Sequence, residues 1–168
     1  TMTDDHSLKI KELERAIQAY CDASDASQWS FLSQSIVNSL RMCSGLLDSQ
    51  SVVLVMSPLE TRMNNSISDG TVPPCVDVLR VFRLCCDELG TTFSLEFSRI
   101  HQTVIQCLLC SDTSANKAAE NLLLVATKRC LSDVVSPVLF LKIIEESGFD
   151  HAVISFVLLC IDEMLEWP

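Results

Sequence analysis

The chain has 168 residues, 48% of them apolar, with only 4 Gly and 5 Pro; that composition suits one sizeable core and opposes disorder and turn-rich sheet folds. Its formal charge of −10 and pI near 4.6 oppose binding to nucleic acid, which rests on Lys and Arg neutralising phosphates. No membrane partner is expected either, since the longest apolar stretch, residues 153–161, falls far short of the roughly 20 residues that a spanning helix needs.

The first helix is predicted over residues 7–21, with Ile10, Leu13, Ile17, Tyr20 and Cys21 on one face and Lys9, Lys11, Glu12, Glu14 and Arg15 largely opposite. Residues 1–6 are expected to be a disordered lead or tag remnant, since Thr1 precedes Met2. Turn chemistry over residues 22–27 ends in Ser27 as an N-cap, and Trp29, Leu32, Ile36, Leu40, Cys43 and Leu47 then repeat at helical spacing. Val52 to Met56 taken alone would also suit a buried strand, but a helix over residues 49–63 broken at Ser57-Pro58 is the favoured reading, followed by an exposed loop at about 64–73. Pro73-Pro74 opens the next helix and Gly90 ends it, with Val78, Leu79, Phe82, Cys85, Cys86 and Leu89 as its apolar set.

Two more helices are predicted over residues 93–109 and 113–129, the second with close-packing alanines and with Lys128 and Arg129 at its negative dipole end. Ser136-Pro137 reads as cap and first residue of a seventh helix that Gly148 terminates. Asp150 caps an eighth, running to about Trp167. The class is therefore all-α, about eight helices in four antiparallel pairs within a single domain over residues 7–168.

The openings at Ser7, Asp48, Thr92 and Ser132 lie about forty residues apart, a period at which two helices per repeat stack because no pair buries its apolar face alone. At this level the whole chain resembles ARM/HEAT-type helical repeats. The resemblance implies a right-handed stack whose surface binds other proteins; a compact globular helical bundle is the alternative. Nuclear-import armadillo proteins read basic peptides with Trp and Asn four residues apart, whereas Trp29 is followed at that distance by Ser33. Tubulin-binding TOG domains are similar in being HEAT arrays with a Trp in the first pair. Their tubulin-facing turns carry bases, and the turns here at residues 22–27, 64–73, 110–113 and 147–150 carry none.

Site chemistry is sparse. Cys107-Leu-Leu-Cys110 has a zinc or redox spacing but lacks a second ligand pair, and it falls at the end of an apolar helix. The nine cysteines, odd in number and set in apolar stretches, read as reduced core thiols of an intracellular, cytoplasmic or nuclear, not secreted, protein. His6, His101 and His151 are far apart, and no Gly-x-Ser-x-Gly or phosphate loop occurs. Asp77, Arg80, Arg83 and Asp87 form a ladder on one helix, read as a wet face with weak ion pairs. No enzyme activity, cofactor or metal is expected, with a cysteine-dependent enzyme or thiol sensor as the competing class.

The final helix breaks the pattern, being apolar nearly all the way round. It either sits centrally in the fold or meets a partner, and Val153, Phe156, Val157, Cys160, Met164 and Trp167 are the expected partner-binding residues. Beyond residue 132 seven carboxylates face Lys142 alone, so acidic rims would tune partner choice. The expected function is a scaffold or adaptor. Its partner is another protein, an apolar helix or basic-flanked segment, or a second copy in a homo-oligomer.

Overall fold

The computed structural model describes residues 2–43, 45–68 and 73–165, and every regular element among them is helical. The α-helices are α1 (Met2–Asp22), α2 (Trp29–Met42), α3 (Ser49–Ser68), α4 (Pro73–Leu89), α5 (Ser94–Leu109), α6 (Thr113–Arg129), α7 (Pro137–Glu146) and α8 (His151–Leu165). Two short 3-10 segments, Ala26–Gln28 and Gly90–Phe93, add to the predicted set.

Local chemistry accounts for most of the ends. Asp48 accepts the backbone N–H of Ser51 at 2.8 Å, Asp112 that of Ala115 at 2.8 Å, and Asp150 those of Ala152 and Val153 at 3.0 and 3.2 Å. Each satisfies a donor that a helix start leaves open. Gly90 and Gly148 take positive φ, 59° and 66°, as C-terminal positions require. At the end of α5 the side-chain amide of Asn116 is shared among the carbonyls of Cys107, Leu108 and Cys110.

Several boundaries differ from expectation. α1 reaches back to Met2, five residues before Ser7, and an Asp5–Lys9 pair at 3.3 Å supports its first turns. Between α1 and α2 the capping residue is Asp25, which accepts from Ser27 N, because the chain makes a 3-10 turn before α2 begins. Ser136 precedes α7 without a side-chain cap bond. α3 runs unbroken through Pro58 to Ser68. Val52, Val55, Met56, Leu59 and Met63 are all buried on one stripe that spans the proline. Burying each such side chain is worth about 1.5–3 kcal/mol, which together outweigh the roughly 3 kcal/mol of an internal proline. The first part of the expected 64–73 loop is thus helix, while residues 69–72 lie outside the described residues.

Contacts follow chain order. α1 packs on α2, α3 on α4, α5 on α6 and α7 on α8; α1, α3 and α5 touch in succession, as do α2, α4, α6 and α8. A single apolar core runs through this bundle-like body. α4 contributes most broadly, with Val78, Leu79, Val81, Phe82, Cys85 and Cys86 buried, as expected of a helix covered by α2, α3 and α6 together. Phe82 and Phe93 meet with ring centroids 6.2 Å apart, tilted at 50°.

Candidate interaction surfaces

The last helix pair departs from the others. α8 packs against α6 and α7, so it lies at one end of the series and not centrally. Val157 and Cys160 are fully buried on its inner side, and Val153, Phe156 and Met164 are half-buried against the same core. Five of the six expected partner-binding residues therefore form the stripe that glues α8 to its own chain. Trp167 lies outside the described residues. Their inward position has a simple cause: in a helix apolar all round, the densest i, i+3, i+4, i+7 stripe goes inward first.

What α8 leaves outside is a second stripe containing Ala152, Ser155, Leu158, Leu159, Asp162 and Leu165. Leu158 is 56% exposed and Leu165 77%. On α7 Val138 and Leu141 are also exposed, and Phe149 in the connecting turn is 66% exposed. Among the described residues, six of the eleven exposed large apolar residues belong to this pair, so the concentration is local and not the scatter normal for a protein surface. Phe149 has φ 61°, a left-handed backbone that costs a non-glycine residue about 1–2 kcal/mol. Acids surround the patch: Glu145, Glu146, Asp150 and Asp162 are all exposed.

A different surface is formed where α2, α4 and α6 meet. A cleft of about 720 Å³ lies there, its walls including Trp29, Ser33, Asp77, Arg80, Arg83 and Asn121. Its rear edge is a charged node. Tyr20 donates its hydroxyl to Asp77 Oδ2 at 2.7 Å, and Arg62 bonds the Cys21 carbonyl at 2.8 Å and approaches Asp77 Oδ2 at 3.4 Å. The Arg62 guanidinium lies over the rings of Tyr20 and Trp29, 5.8 and 5.4 Å from their centroids. Burial, then the bond to Asp77, pushes the Tyr20 hydroxyl pKa upward. Asp77 is only 7% exposed, and its Oδ1 has no hydrogen-bond partner among the described residues.

The expected charge ladder on α4 is rearranged. Asp87 pairs with Arg129 of α6 at 3.1 Å instead of with Arg83. Arg41–Glu88, Arg99–Glu60 and Lys128–Glu163 likewise join neighbouring helices, at 2.8, 3.0 and 3.7 Å. Lys128 and Arg129 thus clamp helices together in addition to facing the α6 dipole. Among the described residues Arg80 and Arg83 have no such partner, although carboxylates outnumber bases 22 to 12 in this chain.

The thiols are mostly core. Burial raises Cys21 to about 11, Cys85 to about 12 and Cys160 to about 11, which makes them poor nucleophiles at neutral pH. Cys110 donates to the Cys107 carbonyl at 3.1 Å, a helix-end role. Cys86 and Cys130 form the one close thiol pair among the described residues, Sγ to Sγ 3.7 Å. Their hydrogen bond, the largest influence on both, lowers Cys130 and raises Cys86. Among the described residues no three His, Cys, Asp or Glu converge as a metal site, and no helix is long and apolar enough to cross a membrane.

Glu96 is fully buried on α5, and neither of its carboxyl oxygens has a hydrogen-bond donor among the described residues; Arg99 Nε is 3.9 Å away. Burial, with Glu60 adjacent, raises it to about 9, so it is held neutral at pH 7. Comparison with protein-family models, curated proteins and solved structures gives no match.

The outward stripe of α8 and the arginine pair were both missed in the sequence. Nothing local indicates that Asp87 is taken by a cation 42 residues away.

Proposed function

We propose that the protein is a non-enzymatic scaffold or adaptor whose helix pairs stack in an ARM/HEAT-like manner and whose last pair receives an apolar helix from another protein. The observation that carries this reading is the concentration of exposed Val138, Leu141, Phe149, Leu158, Leu159 and Leu165 on α7, α8 and their turn. A stacked helix pair covers its neighbour's apolar face, and this face has no neighbour among the described residues. The exposed carboxylates around it favour a partner whose apolar stripe has basic flanks, and they oppose face-to-face pairing of two copies. The strained exposed Phe149 supports the same reading, since backbone strain tends to persist where a side chain is held for binding.

The test is calorimetric titration with a lysine-flanked, leucine-striped helical peptide, using wild type and Leu158→Glu/Leu165→Glu. Both substitutions add negative charge, so simple charge attraction would strengthen binding, whereas apolar capture predicts a loss of at least tenfold, the effect of about 1.4 kcal/mol. Equal or tighter binding by the variant rejects the surface. Light scattering separates the occupants. A dimer dissolved by these substitutions assigns the face to a second copy; a monomer leaves it for another protein.

One observation favours a second reading, a thiol sensor: the 3.7 Å approach of Cys86 to the half-buried Cys130. Hydrogen peroxide would oxidise the two thiols to a disulfide, taking up their two protons and two electrons and leaving as two waters. Alkylation of native protein at neutral pH tests it: a sensor labels rapidly at Cys130 and loses that labelling after peroxide, whereas structural thiols stay silent until denaturation.

A further inference from the structure

We infer that the cleft between α2, α4 and α6 is a second binding site, one for an acidic peptide segment of another protein. Arg80 and Arg83 stand one turn apart on α4, exposed and half-buried respectively, both lining the cleft and both without a carboxylate among the described residues. In a chain with so many spare acids, Arg41, Arg62, Arg99 and Arg129 each hold one on another helix. Two guanidinium groups left open in one concavity present ten N–H donors, in forks that match carboxylates in pairs.

The remaining walls fit a peptide better than a lone anion. Asp77 Oδ1 is buried at the cleft wall and has no partner among the described residues, which leaves an acceptor for a backbone N–H and counts against a bare phosphate placed deeply beside it. Asn121 on α6 and Ser33 on α2 offer both donor and acceptor groups across the gap. Trp29 and Leu84 supply apolar surface for a side chain between the acids. The cleft volume of about 720 Å³ lies within the roughly 300–1,000 Å³ of ligand sites. Nucleic acid has the right charge but would bring its phosphates over the surrounding net charge of −10. This occupant is the electrostatic opposite of the basic-flanked helix proposed for α7 and α8, so the two sites fail or succeed independently.

The probe is the capped peptide Ser-Gly-Glu-Leu-Glu-Glu-Leu-Gly-Ser, compared with its counterpart carrying Gln for each Glu. Binding is followed by calorimetry and by the Trp29 indole resonance, assigned with Trp29→Phe. The Glu peptide is expected to bind and move that resonance, and the Gln peptide to do neither. Arg80→Gln/Arg83→Gln should weaken binding at least about tenfold, because each charge-assisted hydrogen bond contributes enough for that factor, with an unchanged melting temperature since neither side chain has a partner to lose among the described residues. Lys11→Gln/Lys117→Gln makes the same charge change elsewhere and should bind like wild type. Equal binding of Glu and Gln peptides, no binding of either, retained affinity in the arginine variant, or an equal loss in the lysine variant would each overturn the assignment. So would inorganic phosphate that reproduces the resonance shift and blocks the peptide at equal concentration.

Discussion

The middle of the molecule and its last helix pair use apolar sequence in opposite ways, the last pair being the more apolar and the less covered. α4 has Val78, Leu79, Val81, Phe82, Cys85 and Cys86 all buried, with α2, α3 and α6 around it. α8 is apolar on every side, yet it has α6 and α7 as its packing neighbours and leaves Leu158, Leu159 and Leu165 in solvent. Hydrophobicity alone therefore does not report burial. The number of neighbours does, and a surplus of apolar surface over neighbours marks the place where something else can dock.

The largest effect that would sharpen this contrast is in the middle. Phe82→Ala should cost about 3–5 kcal/mol in urea unfolding, whereas Leu158→Ala should change stability by no more than about 0.5 kcal/mol while weakening partner binding. Equal costs would abolish the distinction.

Glu96 comes next, with a pH dependence that belongs to the middle of the fold. Burial raises its carboxyl to about 9 in the folded protein, against about 4.3 in an unfolded chain. Between those values the folded state retains a proton that the unfolded state has released. Stability contributed by this group is therefore complete at low pH and falls as pH rises from about 4 towards 9. Glu96→Gln should flatten that slope and exceed wild type at pH 8 by roughly 1–3 kcal/mol; a thermal melt series across pH reads it directly.

Removing a cap should cost about 1 kcal/mol in either region, but with different reach. Asp112→Ala loosens α6, which contacts α4, α5 and α8, so amide exchange should accelerate across several helices. Asp150→Ala should accelerate exchange in α7 and α8 alone. The smallest shift is expected from Phe149→Gly, which relieves the left-handed backbone. It should raise stability by about 0.4–1 kcal/mol and, if Phe149 serves docking, lower affinity for the basic-flanked helix.

Much of the helical layout was legible because its punctuation is local. Gly90, Gly148, Asp112 and Asp150 mark their boundaries through backbone conformation or a cap bond within a few residues. Pro58 misled for the opposite reason: its local penalty is real, but the buried stripe from Val52 to Met63 that overrides it exists only once other helices cover it. The sites were harder still. Which face of α8 turns inward, and the capture of Asp87 by Arg129 that leaves Arg83 open, both depend on a helix arriving from elsewhere in the chain.

The proposed function depends most heavily on the outer face of α7 and α8 being a working surface. Amide hydrogen exchange with and without the lysine-flanked helical peptide addresses that directly. Added protection confined to residues 137–165 is the predicted result. Protection elsewhere, for example across α1 to α3, or none despite measurable binding, would contradict it.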